Sequence, residues 1–279
     1  MSRSILIILT LFAVVTVCSC TKSAKTTTFS GSSLLIPWDL DTLSPPTSGV
    51  YINGCSQLSV NGIMVACKVS GSLTDTAGNT YLYTRGWEAS LFKGGSPGTF
   101  LGGVANVSVN ATSLNDTLYG GFTHNDTTVV WNDTLLNHWY VSGSDSVPTI
   151  SEDIPGLMPT YTGTLPVTIL RASNFSITFN SSNTINADSA FVILCSRNPS
   201  AMAQSDVVKT NGGIATISSP SLYELNNSPS FHLNWTTTGP IYSGGYIIIV
   251  IYNHTIQTIG GKQFAFVKQR EYLGIVTFL

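Results

Sequence analysis

The sequence predicts an all-β protein with two consecutive antiparallel, Ig-like β-sandwich domains. Short runs rich in β-branched and aromatic residues recur along the chain. Turn signals such as Asn61-Gly62 and Gly120-Gly121 separate them at intervals typical of a sandwich. A proline-rich break near the middle divides these runs into two halves. One larger β fold is the alternative.

The N-terminal residues 1–19 have the plan of a signal peptide. Arg3 supplies a positive charge, and an apolar run from Ile5 to Val17 follows it. This run is too short to cross the membrane, because a spanning helix takes about 20 apolar residues. It fits the apolar region of a secretory signal instead.

Cysteine 20 follows Val17-Cys18-Ser19 at the end of this run. The stretch resembles the lipobox of bacterial lipoproteins, in which a small residue precedes the cysteine that is acylated. The resemblance implies that Cys18 leaves with the signal and that Cys20 becomes a lipid-bearing N-terminus, which holds the chain on a membrane. The alternative is ordinary signal cleavage, which gives a free secreted protein.

The remaining chain is predicted to have four parts. Residues 20–35 form a polar tether, 36–150 a first sandwich, 151–165 a proline-rich connector that resists helix and ladder, and 166–279 a second sandwich. One short helix is expected after Asn198-Pro199, because a polar cap and a proline favour a helix start. Tyr246 to Tyr252 is apolar throughout but only long enough for a strand.

Three cysteines remain in the predicted folded part: Cys55, Cys67 and Cys195. A three-residue hairpin loop at Val60-Asn61-Gly62 sets Cys55 opposite Cys67, where a cross-strand disulfide is geometrically feasible. A two-residue turn shifts the register and separates the pair. Cys195 ends an alternating apolar strand and is expected to be a small buried side chain.

Motifs for catalysis or metal binding are missing from the sequence. The four histidines are scattered singly, and no phosphate-binding loop or nucleophile elbow occurs. Glu152-Asp153 is the one adjacent acidic pair and is expected in a solvated loop. With 12 basic and 14 acidic residues, the chain also has no nucleic-acid footprint. We therefore expect no enzyme activity, cofactor, metal or nucleic-acid partner.

Aspartate is followed by Ser or Thr at seven of its ten positions. Turn closure by the aspartate accounts for many of these positions. The pattern also resembles the O-glycosylation signal of exported proteins in Bacteroidetes-type bacteria. That resemblance implies modification of Thr42, Thr76, Thr117, Thr127, Thr134, Ser146 and Ser189. Ten Asn-x-Ser/Thr sequons would instead be acceptors on a eukaryotic secreted protein.

Aromatic side chains supply the candidate ligand contacts. Trp38, before the first strands, and Tyr81 with Tyr83, which share one strand face, are candidates for stacking on a sugar ring. Trp87, Trp131, Trp139 and Trp235 lie in alternating runs and are expected in the core.

The junction around residues 138 to 169 (H-W-Y-V-S-G, V-P-T-I and L-P-V-T-I), together with the lipobox and the tether, resembles two-part β-rich lipoproteins of the same bacterial group. This family implies a compartment and an architecture but no chemistry. We expect a lipid-anchored cell-envelope protein at the outer membrane, acting as a non-catalytic binding or structural module. Its partner would be a polysaccharide or an envelope protein. The alternatives are a carbohydrate-binding surface protein of a glycan-uptake system and a glycoside hydrolase or other secreted hydrolase.

Overall fold

The structure is a computed structural model that describes residues 60–74, 80–92, 104–116, 121–126, 130–196, 202–227 and 244–279. Strands dominate these residues and one short helix is present, so the structure is mostly β, as the sequence predicts at this coarse level. In chain order the elements are β1 Gly62–Thr74, β2 Thr80–Phe92, β3 Val107–Val109, β4 Thr112–Ser113, β5 Asn115–Asp116, β6 Gly121–Asp126, β7 Leu136–Val141, β8 Ile150–Pro155, β9 Thr160–Tyr161, β10 Thr168–Ile169, β11 Phe175–Thr178, β12 Thr184–Ile185, β13 Ser189–Ser196, β14 Met202–Gln204, β15 Val208–Lys209, β16 Ile214–Ile217, α1 Ser219–Asn227, β17 Gly244–Ile259 and β18 Lys262–Phe278.

Ten of the described strands form one sheet with the central order β14-β13-β17-β18-β1-β2-β6-β5. β10 joins it beside β18, and β15 joins it beside β13. β1 and β18 pair in parallel over ten residues, although about 200 positions separate them in sequence. The sheet thus combines strands from both sides of the predicted connector. The predicted domain boundaries and the Ig-like sandwiches stay predictions.

Strand β17 explains the continuous apolar run from Tyr246 to Tyr252. It lies between β13 and β18, and its residues from Gly245 to Tyr252 are all buried. A strand covered on both faces needs apolar side chains at every position, so the usual alternation disappears.

One face of the large sheet carries two separate apolar cores. The first core packs Met64, Phe264 and Phe266 of the large sheet against a four-stranded sheet with the order β4-β3-β7-β8. The second core packs alternate residues of β13 and β17 against α1 and the β11-β16 pair. A third apolar cluster occupies the opposite face of the large sheet.

Two local predictions are wrong. The segment after Asn198-Pro199 contains the short strands β14 and β15, and the helix lies later, at Ser219–Asn227. β14 pairs with Ile193 to Cys195 at the edge of the sheet, and this tertiary pairing overrides the local helix signal. Residues 150–155, expected to resist a ladder, form β8, because β8 is an edge strand with its proline at the last position.

No helix among the described residues is long and apolar enough to cross a membrane.

Candidate functional site

The outward face of the β7-β8 pair presents a small group of solvent-facing side chains, which we call the outer strip. Alternation in both strands produces it: one set of residues enters the first core, and the other set points to solvent. The register places three cross-strand pairs in a row, namely Leu136 with Pro155, His138 with Asp153, and Tyr140 with Ser151.

Three polar side chains of the outer strip form a hydrogen-bonded chain. His138 Nδ1 lies 2.8 Å from Asp153 Oδ1, and Ser151 Oγ lies 3.4 Å from His138 Nε2. A carboxylate can only accept, so a neutral His138 carries its proton on Nδ1 and offers Nε2 as an acceptor to the Ser151 hydroxyl. Tyr140 flanks this chain with 37% of its surface exposed.

A network of three asparagines, centred on the buried Asn137, holds one end of the outer strip. Asn137 Oδ1 accepts from Asn110 Nδ2 at 2.8 Å and from the Asn132 N–H at 2.7 Å. Its Nδ2 donates to the carbonyl oxygens of Asn132 and Leu135. Asn110, with φ +48°, also accepts the N–H of His138 at 2.9 Å. The backbone that carries His138 is therefore fixed by side chains from two loops.

The turn between β7 and β8 fixes the other end. Ser144 Oγ accepts the N–H groups of Ser146 and Val147, and the Ser144 N–H donates to the Val147 carbonyl at 2.7 Å. Gly143 has φ +78°, and a Cβ there would lie 2.8 Å from the Thr149 nitrogen. Glycine is needed at this position because a left-handed backbone and a close approach coincide.

A second polar group is buried in the opposite face of the large sheet. Glu271 is 2% exposed, and its Oε1 accepts from Gln269 Nε2 at 2.6 Å and from Cys67 Sγ at 3.5 Å. Burial raises the pKa of Glu271 to about 7, and the two hydrogen bonds oppose part of this rise. The site can hold a proton near neutral pH, but apolar side chains surround it.

Only some of the residues predicted for ligand contact, the disulfide and lipid attachment lie within the part of the chain that the structure describes. Trp38, Cys20 and Cys55 lie outside the described residues. Tyr81 and Tyr83 lie on β2 as register partners of Leu73 and Gly71, and their side chains are outside the described set. The Cys55–Cys67 bridge and the lipid anchor therefore stay predictions. Cys195 is buried as predicted, and burial raises the pKa of its thiol to about 12.

Three of the predicted O-glycosylation positions lie in the described part of the chain. Thr134 and Ser146 are exposed, whereas Ser189 is 4% exposed within β13, where a glycosyltransferase cannot reach it in the folded chain. Thr42, Thr76, Thr117 and Thr127 lie outside the described residues.

The turn chemistry at Thr134 and Ser146 differs from the expected one. The residue before each aspartate closes the turn: Asn132 Oδ1 accepts the N–H of Thr134 at 2.9 Å, as Ser144 does for Ser146.

The outer strip includes residues that the sequence did not single out. His138 was expected to be a scattered histidine, and Asp153 a loop residue. The alternation of polar and apolar residues from Leu136 to Val141 was the sequence signal that could have indicated this solvent-facing strip. Trp139 and Trp131 are buried as expected.

Among the described residues, no group of three or more metal-binding side chains occurs. No protein-family model, curated protein or solved structure matches the chain, so its own residues define the candidate site.

Proposed function

We propose that the chain is a membrane-anchored cell-envelope lipoprotein that works as a non-catalytic binding module. The lipobox resemblance at Cys20 and the polar tether after it support an anchor followed by a folded part held away from the membrane. An Ig-like sandwich architecture belongs to the same proposal. The face-to-face packing of the β4-β3-β7-β8 sheet on the large sheet supports it.

The ligand class that the outer strip fits best is a polysaccharide. The observation that carries this proposal is an exposed aromatic ring, Tyr140, beside a histidine, a carboxylate and a hydroxyl on one flat face. A sugar ring presents an apolar face for stacking and hydroxyls around its rim, and this combination matches both features. A role in a glycan-uptake system follows naturally from such a surface on an envelope lipoprotein.

Affinity electrophoresis in gels that contain single polysaccharides tests this proposal. The measurement compares the wild type with Tyr140→Ala and Asp153→Asn. Tyr223→Ala is the matched control, because Tyr223 is also an exposed tyrosine but lies on α1, away from the outer strip.

The wild type is expected to be retarded by at least one polysaccharide. Tyr140→Ala should weaken this retardation about fivefold or more, in line with one stacking contact of ~1 kcal/mol or more. Tyr223→Ala should behave like the wild type. Equal retardation of all four proteins would place binding elsewhere, and no retardation in any gel would count against a polysaccharide ligand.

A hydrolase is the second candidate, because the order Ser151, His138, Asp153 is that of a nucleophile, a base and an orienting carboxylate. In this reading, Ser151 would attack an ester carbonyl while His138 accepts the hydroxyl proton, and the ester C–O bond would break with that proton passing to the departing alcohol. Water would then hydrolyse the acyl-serine and release the carboxylic acid. Turnover of p-nitrophenyl acetate that is lost in Ser151→Ala supports the hydrolase. Turnover that is absent, or unchanged in Ser151→Ala, removes it and leaves the binding module.

A further inference from the structure

Three cations lie side by side on one face of the β1-β18 pair. Lys68 and Arg270 are direct register partners in this parallel ladder, and Lys268 lies two positions before Arg270 on the same strand. Neighbouring strands are about 4.8 Å apart, and alternate residues about 7 Å, so the three Cα atoms are close neighbours. Like charges at adjacent positions of a sheet repel each other, so the arrangement is unfavourable without an anion.

These cations occupy the gap between the two apolar cores on this face. Phe264 and Phe266 precede them on β18 and belong to the first core, whereas Tyr272 and Phe278 follow them and pack against the second. We call Lys68, Lys268 and Arg270 the basic seam. Binding sites commonly form where two packed units meet, because side chains from both can reach a ligand there.

Among the residues that the structure describes, two carboxylates, Asp133 and Asp188, act on the three cations of the basic seam, so its positive charge is not fully balanced. Lys68 pairs with Asp133 at 2.7 Å, with its side chain 15% exposed. Lys268 donates to the Pro155 carbonyl at 3.1 Å, which supplies no full charge. Burial lowers the pKa of Lys268, and the charge of Asp188 opposes part of this effect.

Arg270 has no carboxylate partner among the described residues. Its guanidinium lies 5.5 Å from the centre of the Tyr272 ring. Its Nε is buried without a hydrogen-bond partner among the described residues. A guanidinium stays charged at any physiological pH, so a buried donor without an acceptor is costly. The missing partner has the chemistry of an oxyanion, which accepts two parallel N–H bonds from arginine.

We propose that the basic seam binds an oxyanion group, with Arg270 donating paired N–H groups and Lys268 supplying the second charge. The oxyanion is either a free inorganic ion or a carboxylate carried by an acidic polysaccharide. Among the described contacts, the basic seam touches the outer strip through the Pro155 carbonyl and shares none of its polar side chains, so the proposal holds even if the outer strip binds no sugar.

The arginine Nε–H resonances of the ¹⁵N-labelled full chain give a direct test. The chain has five arginines, so this region of the spectrum is simple, and Arg270→Gln identifies the signal of interest. The probes are sodium sulfate at constant ionic strength, polygalacturonate, and neutral dextran. Arg171 is the internal control, because its guanidinium also lies near a tyrosine ring, at 5.8 Å from Tyr223, outside the basic seam.

The Arg270 Nε–H signal is expected to shift and saturate with sulfate or polygalacturonate, and to stay unchanged with dextran. Saturation with sulfate alone identifies a free oxyanion as the ligand, and tighter binding of polygalacturonate per carboxylate identifies the polymer. Lys268→Gln should weaken binding at least about fivefold, because one charge-assisted contact is lost. Equal, non-saturating shifts at Arg270 and Arg171, or no shift at Arg270, would overturn the proposal from the wild type alone.

Discussion

Glu271 provides the sharpest stability prediction, because its carboxyl group is buried in an apolar face with both hydrogen bonds directed to one oxygen. Its pKa is raised from 4.5 to about 7 in the folded chain. Between these two pH values the unfolded chain releases the proton and the folded chain keeps it. The folded state therefore binds more protons, and the free energy of unfolding falls as pH rises through this window.

The magnitude follows from the width of the window. The pKa rise spans about 2.5 pH units at about 1.4 kcal/mol each, so ionisation of Glu271 removes about 3 kcal/mol of stability between pH 4.5 and pH 7. Below pH 4.5 the carboxyl is protonated in both states, and above pH 7 it is ionised in both. Its contribution is constant outside the window.

Glu271→Gln removes this titration while keeping the shape of the side chain and an acceptor for Gln269. Urea unfolding at several pH values between 4 and 8 should show the variant gaining about 3 kcal/mol relative to the wild type across the window. Glu224→Gln is the control, because it removes a carboxyl that is exposed on α1. If the curves of wild type and Glu271→Gln stay parallel from pH 4.5 to pH 8, the reasoning is wrong.

Two further predictions concern the loops that support the outer strip. Asn137→Ala should lower the free energy of unfolding by about 2 kcal/mol in urea titrations, because the buried side-chain amide makes four hydrogen bonds that are all lost. A loss below about 1 kcal/mol would contradict this role. Gly156→Ala should lower the free energy of unfolding by at least about 2 kcal/mol, because the new Cβ would overlap the carbonyl oxygens of Asn132 and Leu135. Gly212→Ala is the control and should cost only about 1 kcal/mol in the same assay, because Gly212 has φ +85° but open space around it. Equal losses of stability in the two variants would refute the overlap.

The strands with strong local patterns could be predicted from the sequence. Tyr246–Tyr252, expected from its apolar run to have the length of a strand, lies within β17. The two β-branched and aromatic runs Thr80–Tyr83 and Trp87–Phe92 belong to one strand, β2. The gap between them has no proline, so nothing interrupts the ladder with β1.

The pairing of distant strands could not be predicted. No local feature indicates that Gly62–Gly71 lies beside Phe264–Leu273, because parallel pairing depends on which faces become buried together. The candidate site could not be predicted for the same reason, because strand pairing brings its residues together. His138 and Asp153 meet through the β7-β8 register, and Lys68 meets Arg270 through the β1-β18 register.

Burial of charge also depends on this tertiary arrangement. Glu271 lies in a stretch, Gln269 to Tyr272, that contains several polar residues and gives no sign of an apolar face. The alternation of β18 and the neighbouring strands place its carboxyl inside. The same alternation leaves Arg270 on the other face, one residue earlier.

Metabolic labelling with a palmitate analogue tests the central claim most directly, because the proposed function begins with a lipid anchor at Cys20. The comparison uses wild type, Cys20→Ala and the matched control Cys18→Ala, with membrane and soluble fractions measured for each. The account predicts that wild type and Cys18→Ala are labelled and sediment with membranes, whereas Cys20→Ala loses the label. Unchanged labelling of Cys20→Ala, or an unlabelled wild type, would contradict it.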